Sequence, residues 1–414
     1  MINASLAAQN IDFNALSPLI VLVVGIVVTI FTPFIARGKA AIVTPAIALV
    51  TLAYALVRCI AIWDRNGSAF GGMYTADNLT LFASFIFLIA AFLTVMAISA
   101  RYCPLFGSPD GEGLRDNPEV FPLILTVVVG AIAMAASRNL ILTFLAIETL
   151  SIPLYVLAGM NLTSEFSKEG SLKYFLTGAF ASGIMAYGIS LIYGAAGDLG
   201  YVAISLVCEP TSANYVLFIG FALLTAGFGF KIALVPFHFW VPDVYQGSPT
   251  LITGFMASLV KAAGFVAVLR FFGEAVTMLY DLWWIAAAVL AIMSMTFGNL
   301  LALRQTALKR LFAYSSIAHA GYLMLAVLII GREWMNPTIA GIPVTSTALQ
   351  SALFYLLGYA FAIIGIFTII WWITPRGSDA TPAQVGPPRG GAFCSLSLPV
   401  EFVLANRHHP HHAR

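Results

Sequence analysis

The sequence predicts an all-α polytopic membrane protein with about eleven transmembrane helices. Three observations carry that prediction. The 414 residues are 60% hydrophobic, with a mean hydropathy of +0.93. Only 9% are charged, against about 25% in an average soluble domain, so a chain of this size cannot clothe itself in a water-facing surface. The apolar residues also fall in long continuous runs, and one span needs about 20 of them. A soluble enzyme, a disordered protein and a nucleic-acid binder are thereby excluded; the last needs a basic surplus, and the net charge here is +2.

The runs lie at about 15–35, 40–63, 78–100, 119–136, 139–160, 172–195, 214–235, 249–273, 281–302, 311–330 and 347–373. Each is too long and continuous for a barrel strand, which alternates. In hydrocarbon a helix satisfies its own backbone donors and acceptors. Residues 1–14 hold no Lys or Arg, so the positive region of a signal peptide is missing and the first run should stay as an anchor. Arg37 and Lys39 separate the first run from the second, and Arg58 and Arg65 close the second. Arg101 and Arg115 follow the third, Arg138 the fourth, and Lys168 and Lys173 the fifth. The loop at 196–213 has no positive charge. Arg270 ends the eighth run, Arg304, Lys309 and Arg310 precede the tenth, Arg332 follows it, and Arg376 follows the eleventh. With the N-terminus outside, ten of these charges face inward and five outward, as positive-inside topology requires.

A few ionisable residues stand where hydrocarbon should be. Glu148 lies about ten residues into the fifth run, ~15 Å deep at the helical rise. A charge at that depth costs a few kcal/mol and normally faces a bundle interior, a water cavity or an opposite charge. A structural ion pair is the plainer reading; a proton-carrying acid is the functional one. Lys231 sits in GFGFKIALVPFHFW, where Pro236 breaks or kinks the helix near the lysine; Pro242 and Pro249 follow, making three prolines in fourteen residues. A broken helix at membrane depth must face protein or water. A Lys–Glu pair has two protonation states of similar energy, which suits a relay; a lysine reaching the headgroups is the alternative. Lys261 is followed by Ala262, Ala263 and Gly264, small enough for close helix approach, and reads as relay or as interhelical salt bridge.

His238 and His319 are the histidines outside the tail. His238 is flanked by Phe237, Phe239 and Trp240 and reads at least as well as a packed ring. His319, inside YSSIAHAGY, is the better proton carrier, with Ser315 and Ser316 able to hold water beside it. Lys309 and Arg310 read first as a topological anchor, with Lys309 at an inner channel mouth as the alternative. Asp243 reads as a helix cap. Cys59, Cys103, Cys208 and Cys394 are scattered without a CxxC, which argues against iron–sulfur ligation, structural zinc or a disulfide framework. Gly227 and Gly229 open a GxG without the third glycine, no Walker loop is present, and no histidines pair at haem spacing. The chain is therefore expected to bind no cofactor or metal of its own.

Four stretches then carry a resemblance: FLAIETLSIPLYVLAGM (144–160), EGSLKYFLTGAFASGIMAYGISLIYGAAG (169–197), GFGFKIALVPFHFWVPDVYQGSPTLITGFMASLVKAAGF (227–265) and LKRLFAYSSIAHAGYLM (308–324). They resemble the subunit N family of the bacterial proton-pumping NADH:quinone oxidoreductase, respiratory complex I, over about 15–376. The third and fourth belong to the wider antiporter-like superfamily, and the second narrows it to subunit N. The resemblance implies inverted five-helix repeats with broken helices, the first over about 119–273 and a partial second over about 281–373. It implies a proton relay in which Glu148, Lys231 and Lys261 are the fifth-, seventh- and eighth-helix members and His319 the polar residue of the tenth, with Lys309 and His238 as weaker candidates. It implies partners among the other membrane and peripheral subunits, neighbouring antiporter-like subunits included, with FMN, iron–sulfur clusters and quinone held there. The implied location is a bacterial inner membrane. A sodium/proton antiporter or membrane hydrogenase subunit of the same fold is the alternative, and a purely structural subunit a third reading.

The resemblance stops near 376. Family members continue with three more spans and a further lysine. Here residues 375–414 hold six of the 20 prolines and four of the six histidines, and no run long enough to span follows. The segment 377–414 reads as a divergent or out-of-frame tail, without order, that leaves the second repeat incomplete.

Overall fold

The computed structural model describes residues 11–36, 39–100, 117–207, 215–276, 279–335, 338–339, 342–343 and 345–374. The tail at 377–414, Cys103, Cys208, Cys394 and the loop arginines 37, 101, 115 and 376 lie outside the described residues.

The chain folds into a helical bundle. In order its helices are α1 (Ser17–Ile35), α2 (Ala40–Ala61), α3 (Asn78–Ser99), α4 (Val120–Ala136), α5 (Leu140–Ala158), α6 (Glu165–Ala196), α7 (Tyr201–Val207), α8 (Tyr215–Ile232), α9 (Trp240–Gly247), α10 (Thr250–Phe255), α11 (Lys261–Glu274), α12 (Tyr280–Ala302), α13 (Leu308–Met335) and α14 (Thr345–Ile373). A π-turn, Met256–Val260, joins α10 to α11 into one span. Ten stretches among the described residues are long and apolar enough to cross a membrane, and the seventeen-residue α4 is a shorter apolar helix. These are the eleven spans read from the sequence. The loop at 196–213 differs, since it carries α7. The loop after α2 also differs: it holds an antiparallel hairpin, β1 (Gly67–Ala69) with β2 (Tyr74–Ala76).

Local chemistry explains the helix ends. Asp77 caps α3 by accepting from the Thr80 amide at 2.9 Å, and Asn139 caps α5 from Ile141 at 2.9 Å. Ser164 caps α6, which ends at Gly197 in the left-handed region with φ 71°. Inside the spans, buried hydroxyls turn back on their own helix: Thr29 on Gly25, Ser84 on Thr80, Thr94 on Ala90. That satisfies a polar group where hydrocarbon offers no partner.

Packing arranges the helices around one centre. The α10–π–α11 span is buried along its whole length, while α1, α2, α6 and α12 leave wide faces exposed. Val24, Phe34, Val50, Phe180 and Ile292 are among the large apolar residues on those faces, the composition a lipid contact needs. Close crossings use glycine. A Cβ on Gly188 of α6 would stand 2.8 Å from the Gly220 carbonyl of α8, and one on Gly298 of α12 2.6 Å from the Ala318 amide of α13. Lys261, at the head of α11, is thus placed at the middle of the molecule.

Candidate functional site: a line of buried lysines

The line begins at the broken helix. α8 ends at Ile232, one residue after Lys231, and the chain then runs irregularly through Ala233 (φ 62°) and the cis Val235–Pro236 bond to α9. Its freed backbone groups are satisfied by protein. The Leu234 amide bonds the Gly229 carbonyl at 2.8 Å, the Val235 amide bonds Ser294 Oγ of α12 at 3.0 Å, and Trp240 Nε1 bonds the Phe230 carbonyl at 3.1 Å. Non-helical backbone at this depth is stable for that reason. The proline-based expectation of a break beside Lys231 is therefore met.

Lys231 is 6% exposed, and its Nζ donates to Ser151 Oγ of α5 at 2.8 Å. Glu148 lies one turn before Ser151, half-buried, and accepts a hydrogen bond from Ser182 Oγ of α6. Its carboxylate is near enough to act on the Lys231 ammonium through space. Tyr155, one turn beyond Ser151, senses both Glu148 and Ser151. Glu148, Ser151 and Tyr155 thus form a polar stripe at helical spacing.

Lys231 also touches the central span. A Cβ on Gly264 would meet Ile232 Cγ2 at 2.7 Å and Lys231 Cγ at 3.7 Å, so glycine is what lets the lysine stem lie against α11, one turn from Lys261. Lys261 is 4% exposed and pairs with no carboxylate among the described residues; its Nζ donates to the carbonyl and to the hydroxyl of Ser316 on α13, and stands 5.7 Å from the centre of the Tyr359 ring. The interhelical salt bridge weighed from the sequence is absent among the described residues. His319, one turn past Ser316, bonds the Tyr355 hydroxyl through Nδ1, lies 5.0 Å from the Tyr359 ring centre, and is within electrostatic reach of Lys261. Ser316 therefore serves Lys261 directly, where the sequence suggested that it holds water for His319.

The remaining candidates lie elsewhere. The His238 ring packs 4.8 Å from that of Phe239, and its buried Nδ1 has no hydrogen-bond partner among the described residues. Lys309 Nζ donates to the Ser248 carbonyl at 2.9 Å and the Gln246 carbonyl at 3.5 Å, closing the C-terminal end of α9, where the helix dipole favours a cation. Asp243 does not cap α9. It pairs with Lys173 of α6 and Arg310 of α13, both at 2.8 Å, and Lys173 also pairs with Glu169. Burial pushes the Asp243 carboxyl up, but the bonds from Lys173 and Arg310 outweigh it and hold the group below its ordinary value. This clamp joins the short helix to both neighbours.

A second ionic group, at the opposite ends of the spans, was not read from the sequence. The Arg270 side chain is fully buried and forks onto Asp77 at 2.9 and 2.7 Å, with Glu274 at 3.0 Å and Thr80 Oγ1 at 3.0 Å. Arg138 joins Asp77 at 3.5 Å and Glu274 at 3.1 Å. The i, i+4 spacing of Arg270 and Glu274 was the available signal. Among the described residues, no group of three or more His, Cys, Asp or Glu side chains stands together to hold a metal ion.

Comparison with known proteins gives this geometry a family. Residues 137–382 match the family described as NADH:quinone oxidoreductase/Mrp antiporter, TM. NADH-quinone oxidoreductase subunit N of Trichlorobacter lovleyi is 39% identical over 382 residues, covering 91% of this chain and 73% of that protein. A chain of respiratory complex I from Thermus thermophilus superposes with a TM-score of 0.69 at 35% identity, covering 86% of this chain and 71% of that one. The Mrp complex of Dietzia matches at a TM-score of 0.68 and 18% identity, over 86% of this chain and 64% of that one, which speaks for the fold alone. On the family match and the 39% identity, this multi-pass membrane protein belongs to the NADH-quinone oxidoreductase subunit N family.

Proposed function

We propose that this chain moves protons across the membrane through Glu148, Lys231, Lys261 and His319, as the antiporter-like subunit of a proton-pumping NADH:quinone oxidoreductase. One observation carries the reading: two lysines buried at 6% and 4% exposure hold serine hydroxyls rather than carboxylates. A hydroxyl accepts from an ammonium and donates to a neutral amine. Either protonation state of each lysine therefore keeps a partner, which a fixed salt bridge does not allow. Glu148 acts on Lys231 at one end of the line, and His319 adjoins Lys261 at the other. Gly264 brings Lys231 within a turn of Lys261.

The partners in this reading are the other subunits of the complex, neighbouring antiporter-like subunits included. They carry the FMN, iron–sulfur clusters and quinone, whose electron transfer drives the protons. The chain lies in a bacterial inner membrane with its N-terminus outside, which the ten-to-five distribution of Lys and Arg supports. Residues 119–273 form a first repeat and 281–373 part of a second, leaving the segment 377–414 outside the repeats. Lys309 seals the end of α9 on the inner side, and His238 lines the break.

The test is proton pumping by the assembled complex in closed vesicles, read by a pH-sensitive dye as NADH is oxidised. Glu148→Ala, Lys231→Ala and Lys261→Ala should each lower pumping while the complex still assembles. Undiminished pumping in all three refutes the relay. A cysteine introduced at Lys39 and labelled only from the cytoplasmic side supports the orientation; labelling only from outside reverses it.

A further inference from the structure

Lys261 has two acceptors from one residue. The Ser316 carbonyl and the Ser316 hydroxyl both receive hydrogen bonds from its Nζ. They differ chemically: a carbonyl accepts only, whereas a hydroxyl accepts and donates. The carbonyl can hold an ammonium in place, but only the hydroxyl can take a proton on one lone pair and release its own.

The surroundings of the hydroxyl supply somewhere for that proton to go. Ser316 is 1% exposed, and its Oγ interacts with two phenols, Tyr245 of α9 and Tyr359 of α14. The Tyr359 hydroxyl is itself buried and, among the described residues, has no partner at hydrogen-bond geometry. A buried polar group left in that condition is rare and calls for an explanation. The Tyr359 ring lies beside His319 at 5.0 Å and stacks parallel to Tyr355 at 6.4 Å, and Tyr355 closes on His319 Nδ1. Tyr355 and Tyr359 are one helical turn apart on α14, so both phenols meet the face of α13 that carries Ser316 and His319.

We propose that Ser316 is the residue through which Lys261 gives up and recovers its proton, with Tyr359 as the group that receives it. A proton leaves Lys261 Nζ for Ser316 Oγ as the serine's own proton passes to the Tyr359 oxygen, whose proton moves on toward His319 in the same displacement. Lysine ends as a neutral amine and the imidazole gains the charge. Serine and tyrosine are chemically unchanged, each with its hydroxyl turned around. The return step reverses every transfer. Between the two steps Ser316 Oγ donates to the neutral amine, and after the return the ammonium donates to Oγ again, so Lys261 is never without a partner.

This inference rests on the relay reading of Lys261, and the experiment separates the two. Ser316→Ala, Ser316→Thr, Tyr359→Phe and Lys261→Ala are compared in the assembled complex by proton pumping in vesicles, with subunit content measured on the same preparations. Ser316→Ala keeps the carbonyl that holds the ammonium but loses the hydroxyl. Its pumping should fall about a hundred-fold, at the lower edge of what a positioned proton-transfer group contributes. Ser316→Thr restores the hydroxyl and should recover most of the rate, although it adds a methyl to a packed site; a merely structural serine would tolerate threonine no better than alanine. Tyr359→Phe should fall similarly, and the double variant Ser316→Ala/Tyr359→Phe no further, since both lie on one path. If Lys261→Ala pumps fully, the relay reading fails. If Lys261→Ala is impaired while Ser316→Ala or Tyr359→Phe pumps normally, only the Ser316 hand-over is overturned. Should Ser316→Ala fail to assemble, Ser316→Thr and Tyr359→Phe decide: normal pumping by Tyr359→Phe, or none by Ser316→Thr, overturns the proposal.

Discussion

Replacing Arg270 with methionine removes a fully buried guanidinium that ties α11 to the start of α3. At 2.7 Å and an effective dielectric near 20, its attraction to Asp77 is about 6 kcal/mol before desolvation. Burying the guanidinium takes back much of that, so the pair itself adds little net stability. The substitution is costly for another reason: it leaves Asp77 and Glu274 facing each other with Arg138 as their remaining cation. Breaking a buried pair costs about 3–5 kcal/mol. Asp77 and Glu274 keep 20% and 25% side-chain exposure, and Arg138 sits at 3.5 and 3.1 Å, so the lower edge, about 3 kcal/mol, is expected. Arg270→Lys keeps the charge but not the fork and should cost about half as much. Asp77→Asn keeps the α3 cap, because asparagine also caps, yet removes the orphaned carboxylate. In the Arg270→Met background it should therefore recover stability. The assay is thermal unfolding of the detergent-solubilised protein: wild type melts highest, Arg270→Met lowest, and Arg270→Lys and the Arg270→Met/Asp77→Asn double variant fall between them. Methionine matching wild type, or Asp77→Asn deepening the loss, refutes the reasoning.

The same group predicts an acid limit. Burial pushes the Asp77 carboxyl up, but the Arg270 hydrogen bond and charge, with the Thr80 amide, hold it below its ordinary value. Its stabilisation is therefore fully present above the unfolded pKa of about 3.9 and lost as pH falls through the lower folded value; the acid branch of the stability curve should flatten in Arg270→Met. Asp243→Asn should cost under about 1 kcal/mol in low salt and less in high salt, because Lys173 and Arg310 are 44% and 31% exposed; a salt-independent loss of several kcal/mol in the same melts would refute that. Gly220→Ala places a Cβ 2.8 Å from Ile192 Cγ1 and 3.0 Å from the Gly188 carbonyl, and should lower the melting temperature by an overpacking cost of about 1–3 kcal/mol. Gly183→Ala, with open space around it, should melt like wild type.

What could be read from residues alone follows from what hydrocarbon forbids. Glu148, Lys231 and Lys261 stood out because a charge within an apolar run is costly, and Pro236 announced the break because it cannot donate to the helix ladder. The eleven spans were legible for the same reason. Ser151, Ser182 and Ser316 were not legible as partners. A serine in a span can bond its own helix, as Ser84 does, and only knowing which helices abut shows that Ser151 reaches Lys231 across from α5. The phenols of Tyr245 and Tyr359 stand 114 residues apart in the chain and meet only in the fold. Arg270 was hidden by position: an arginine at a span end looks like a topological anchor, and nothing local reveals Asp77, 193 residues away. Asp243 was misread because an acid in the first turn of a short helix fits a cap as well as it fits a clamp.

The first turn of α13 grips α9 through Lys309 and Arg310, and the third and fourth turns carry Ser316 and His319. One rigid rod thus has its foot on the broken helix of the first half and its shaft against the central lysine. Any tilt of α9 is levered along that rod, so the spacing of Lys261 from its acceptors is geared to the posture of the segment next to Lys231. Two buried lysines on separate helices, Lys231 and Lys261, are in this way braced by one common strut.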